Sequence, residues 1–155
     1  MALATKQKDK IRRWLRVTMV FIAVLLLFFA VVVPIVNNAI ALGVEKDLKK
    51  LSLPEKTELV ESTSLAGKMI GNGNGMQYLG AILIKSDLSL DALQAYYADY
   101  DGTVEPQLNA DVRVAMNKEL SFRHAEYGVG YYIVYRWGDA PDWIQDWLDT
   151  DLRGH

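Results

Sequence analysis

The chain has 155 residues, 51% of them apolar, with 17 basic and 19 acidic side chains and no cysteine. The missing cysteine excludes disulfides, thiolate metal sites, a thiol nucleophile and a thiol-linked lipid. Charge is split along the chain. Lys6, Lys8, Lys10, Arg12, Arg13 and Arg16 stand against Asp9 alone in residues 1–16, leaving 11 basic and 18 acidic residues for the rest. That acidic balance argues against DNA, RNA or an anionic membrane surface as the partner of the rest.

Val17 to Val36, VTMVFIAVLLLFFAVVVPIV, holds no charged residue. At ~1.5 Å per residue it reaches about 30 Å, the thickness of a bilayer's hydrocarbon core. It reads as a single transmembrane helix, with the lipid bilayer as its partner. The basic residues just before it place residues 1–16 in the cytoplasm and the rest outside the cell membrane. A cleaved signal peptide is the competing reading, because Ala39-Ile40-Ala41 fits a small-residue cleavage pattern. Signal peptides carry a shorter apolar core of ~7–15 residues, and Pro34 lies inside the run, so the anchor is preferred.

Beyond the span, Ile40, Val44, Leu48 and Leu51 recur at helical spacing. Residues 37–53 therefore read as a helical stalk, weakened by Gly43 and closed by Pro54. Residues 54–155 read as one extracytoplasmic α+β domain, mostly antiparallel sheet with one helix packed on it and a short C-terminal helix. Thr57 to Ile70 and Met76 to Ser86 suggest strands. The second is apolar on both faces and belongs in mid-sheet. Ser89 caps a helix from Leu90 to about Tyr100, ended by Asp101-Gly102. Thr103 to Leu108 is an edge strand, because Pro106 cannot donate to a central ladder. Val112, Val114 and Met116 alternate, with a turn at Asn117-Lys118 into Leu120 to His124; a helix over Ala110 to Phe122 also fits. Val129 to Trp137 is a strand, and Pro141 opens a helix through DWIQDWLD.

Little in this order carries chemistry. Gly71-Asn72-Gly73-Asn74-Gly75 is followed by a strand and has no nearby lysine, so it lacks the parts of a phosphate cradle. It reads as a hairpin connection in which Asn and Gly accept positive φ, with Asn72 and Asn74 as candidate contacts for a partner or ligand. His124 has no carboxylate at an interpretable spacing. His155 with Asp149 and Asp151 would make only a weak metal site. No serine sits in a nucleophile elbow. Tyr96, Tyr97 and Tyr100 of the helix from Leu90, with Tyr131, Tyr132, Tyr135 and Trp137 of the strand Val129 to Trp137, are expected to form one core. Trp143, Ile144, Trp147 and Leu148 make an apolar stripe opposed by Asp142, Gln145, Asp146 and Asp149. Trp143 and Trp147 are expected against the domain's own sheet, and otherwise are anchors for a partner.

These residues point to a membrane-anchored, non-catalytic interaction module, an accessory or assembly subunit with a protein partner outside the membrane. The second reading is a binding domain for a small ligand or envelope polymer. Neither a cofactor nor a metal is expected.

Overall fold

The computed structural model describes residues 2–71, 75–108, 112–115, 118–120, 122–123 and 127–155. It is α+β. One helix, α1, runs from Ala2–Lys50 without a break, carrying Pro34 inside it. It is long and apolar enough to cross a membrane by length and composition. Its apolar side chains from Val17 to Leu27 are largely exposed.

Strands β1 (Thr57–Gly67), β2 (Gln77–Ser86), β3 (Thr103–Pro106) and β6 (Tyr131–Gly138) form one antiparallel sheet in the order β1-β2-β6-β3. The central place of β2 and the edge place of β3 follow from the double-faced apolar pattern and from Pro106. Strands β4 (Val112–Ala115) and β5 (Lys118–Leu120) pair separately, the strand alternative for that stretch. The turn residue Asn117 lies outside the described residues. Helix α2 (Leu90–Ala98) starts where Ser89 Oγ accepts the Ala92 amide at 3.3 Å. It stops where Asp101 turns to φ 56° and the Gly102 amide returns to the Tyr97 carbonyl at 2.9 Å. Helix α3 (Asp142–Leu148) and a 3-10 turn (Leu152–Gly154) complete the order.

Residues 37–53 do not stand free as a stalk. The second half of α1 lies along the sheet and supplies its cover, with Asn37, Ala41, Val44 and Leu48 all buried. The helical stripe was legible, but the surface receiving it was not. That surface is the face of β2 presenting Tyr78, Ile82 and Ile84, which needs an apolar lid. Two glycines allow the approach. A methyl group on Gly80 would lie 2.7 Å from Glu45 Cα, and one on Gly138 would overlap Val44 Cγ2.

The sheet therefore separates two cores. On the α1 side, Leu48, Ile82, Ile84, Val104 and Val134 meet Leu93 and Tyr97 of α2. On the other, Leu79, Ala81, Leu83, Ile133 and Tyr135 pack with Met69, Leu120 and Phe122. The tyrosines are divided between these layers, not gathered in one. Tyr97 and Tyr132 lie on the helical side, while Tyr131, Tyr135 and Trp137 lie opposite. Alternation along β6 imposes this, since neighbouring residues of a strand face opposite ways.

Candidate functional site

Among the described residues, a linked group of buried polar side chains lies where α1 meets residues 148–153. Asn37 is fully buried directly after the apolar run. Its carboxamide oxygen accepts the Tyr78 hydroxyl at 2.8 Å. Its nitrogen donates to the Leu148 carbonyl at 3.1 Å and to Asp151 Oδ2 at 2.9 Å. Asp151 also receives Arg153, whose Nη2 lies 2.6 Å from Oδ2. The same guanidinium donates to Asn38 Oδ1 at 2.8 Å and to the Pro34 carbonyl at 3.2 Å. One turn back, Asp149 Oδ1 accepts the Met76 amide at 2.8 Å and Gln145 Nε2 at 2.7 Å.

Backbone bonds close the junction. The Lys68 amide donates to the Arg153 carbonyl at 2.8 Å, and the Gly75 amide donates to the Gly154 carbonyl at 2.9 Å. The segment after α3 is thereby fastened to the end of β1 and the start of β2, and the side-chain bonds of Asp151 and Arg153 fasten it to α1. Arg153 holds the Asp151 carboxyl at about 2, against the opposing effect of burial and with Asn37 assisting. Burial pushes the Tyr78 phenol up to about 12, and the carboxylates of Asp149 and Asp151 add to that.

Helix α3 does not place its tryptophans on the sheet. Trp143 is 84% exposed and Trp147 is 59% exposed, correcting the expectation that the sheet receives them. Two pairs spaced one turn apart compete for the inside, Trp143/Trp147 and Ile144/Leu148, and adjacent helix positions differ by about 100° in direction. The aliphatic pair wins, packing with Val33, Ala41 and Val44. This choice also turns Gln145 and Asp149 toward Met76, where their hydrogen bonds lie. The polar face read from the sequence is thus partly an inward face.

Asn72 and Asn74 lie outside the described residues, as does His124. The flanks of their loop are defined. Gly71 and Gly75 have φ of 84° and 144°, which favours glycine. Gln77 clamps the loop's base, accepting the Met69 and Ile70 amides at 2.7 and 2.8 Å. A cleft of about 330 Å³ beside it is lined by Ile70, Met76, Gln77, Trp137 and Gln145. Its two carboxamides are already bonded within the fold. Asp149 and Asp151 are likewise committed to donors, and His155 is exposed. Among the described residues no group of three His, Asp or Glu is placed to hold a metal.

The sequence reading passed over Asn37, Tyr78 and Arg153. The adjacent Asn37-Asn38, polar residues ending the apolar run, were the available signal. No protein-family model matches the chain, and no curated protein or solved structure does either.

Proposed function

We propose that the protein is a single-pass membrane protein that holds a small interaction module rigidly outside the membrane, in an accessory or assembly role without chemistry of its own. Continuity carries this reading. The helix that would cross the bilayer is the same helix that covers the sheet, so no flexible linker separates anchor from module. Cleavage after Ala41 would cut inside the packed domain, where Ala41 is 1% exposed.

A fixed helix gives the module two distinct ends. Tyr78 of β2 sits beside Asn37, and Ser86 lies ~26 Å further on at ~3.3 Å per residue. At that remote end the Ser86 amide meets the Gly130 carbonyl, in the loop carrying Val129. Val129 is 99% exposed, with Leu108 and Tyr127 also exposed nearby. An apolar tip facing away from the bilayer suits a protein partner. The ligand-binding alternative would use the cleft beside Gln77, whose polar lining is already paired.

A photo-crosslinker at position 129 of the full chain in intact cells tests the module. A discrete protein adduct, lost on Leu108→Ser with Tyr127→Ser, is expected. The absence of any adduct overturns the partner reading, and a mature chain beginning at Leu42 overturns the anchor.

A further inference from the structure

The module's packing on α1 begins inside the apolar run. Phe29 and Val33 are packed by Ile144, Leu148 and their neighbours. An open groove of about 620 Å³ lies between Leu26, Phe29 and Pro34 on one side and Leu152 and Arg153 on the other. From Val17 to Leu26 the helix rises only about 14 Å, and to Phe29 about 18 Å, at ~1.5 Å per residue. A hydrocarbon core needs about 30 Å. Shifting the span inward would draw Arg16, Arg13 and Arg12 into hydrocarbon, at up to about 3 kcal/mol each. The remaining length has to come from Phe29 to Val36, the stretch alongside residues 148–153.

We propose that Trp143, Trp147 and Leu152 are seated in the headgroup–acyl boundary of the outer leaflet, making residues 143–153 an interfacial anchor that sets the module's depth and tilt. The inference rests on the reading of α1 as a membrane span. Three observations agree with it. Trp143, Trp147 and Leu152 are 84%, 59% and 87% exposed, and Leu152 lines the groove against Leu26 and Phe29 of the span. Tryptophan is the side chain enriched at this depth, with its ring in the apolar boundary and its N–H toward water. The polar groups lying deepest, Asn37, Asp151 and Arg153, are bonded to one another or to backbone, as a low-water layer demands. Asp142 and Asp146 on the exposed side of α3 make the matching surface zwitterionic in preference to anionic.

Quenching by brominated lipid tests this in the full chain reconstituted in phosphatidylcholine vesicles. In a Trp14→Phe, Trp137→Phe chain the emission comes from Trp143 and Trp147. Lipid brominated near the headgroup should quench it about twofold more than lipid brominated near the chain end, as expected for an interfacial ring. A companion chain with all four tryptophans changed to Phe and Leu25→Trp reports the span itself and should be quenched best by the deep label. If that chain is quenched while Trp143 and Trp147 respond only to aqueous iodide, the interfacial anchor is overturned and the span stands. If Trp143 and Trp147 respond to neither lipid nor iodide, a protein surface covers them, which also overturns it. If the Leu25→Trp chain is unquenched by lipid, the span reading fails and this inference fails with it.

Discussion

Replacing Asn37 by leucine removes the keystone of the junction while keeping the number and branching of side-chain heavy atoms, so no cavity is opened. Three hydrogen bonds disappear: one from Tyr78, one to the Leu148 carbonyl and one to the Asp151 carboxylate. The two neutral bonds are worth about 1 kcal/mol each and the charge-assisted one about 2 kcal/mol. Asp151 keeps Arg153, and leucine recovers part of the total through apolar contact. The expected loss is therefore about 3 kcal/mol, a fall in melting temperature of roughly 10 °C for a protein of this size. Thermal unfolding of the full chain in mild detergent, followed by near-ultraviolet circular dichroism, reads it. The loss should begin locally. Amide exchange at Lys68 and Gly75, which bond the segment after α3, should accelerate before the sheet opens. Adding Tyr78→Phe gives a second measure, costing about 1 kcal/mol alone and nothing in the Asn37→Leu chain. An Asn37→Leu protein within about 0.5 kcal/mol of wild type, or Tyr78→Phe costing the same in both chains, refutes the assignment of Asn37 as the link.

A glycine of the helix–sheet contact and one on the open side of α1 should respond with opposite signs. Gly80→Ala drives a methyl group into the α1 backbone and should destabilise by about 2 kcal/mol, while Gly43→Ala, with no atom in its way, should stabilise by up to about 1 kcal/mol in the same melts. Asp151 has its folded-state pKa lowered to about 2, so its contribution is present above the unfolded value near 4 and disappears as pH falls from about 4 to 2. Wild type should lose about 2 kcal/mol more than Asp151→Asn between pH 5 and pH 2 in paired urea titrations, and parallel curves would exclude the ion pair as the cause. Tyr97 is fully buried with a hydroxyl lacking a partner among the described residues, so Tyr97→Phe should leave stability unchanged or raise it, against the usual cost of a core substitution.

Local chemistry made several elements legible from sequence. The apolar run between Arg16 and Asn37 reads as a long apolar helix. Double-faced apolarity put β2 inside the sheet, Pro106 put β3 at its edge, and Ser89 with Asp101-Gly102 bounded α2. Each signal is carried by neighbouring residues, because backbone donors, fixed φ and side-chain periodicity act over one or two turns. Tertiary packing decided the rest. The stripe Val44–Leu48 could face solvent, a second helix or a sheet, and only the glycines at 80 and 138, far away in sequence, make room for it on the sheet. In α3 two apolar pairs compete for one inward face, and the surface formed by Val33, Ala41 and Val44 receives Ile144 and Leu148, leaving the tryptophans outside. Asn37 finds Tyr78, Leu148 and Asp151 across more than forty residues, by contacts without a sequence period. A local pattern fixes which residues can share a face; the shape of the opposing surface fixes which face is buried.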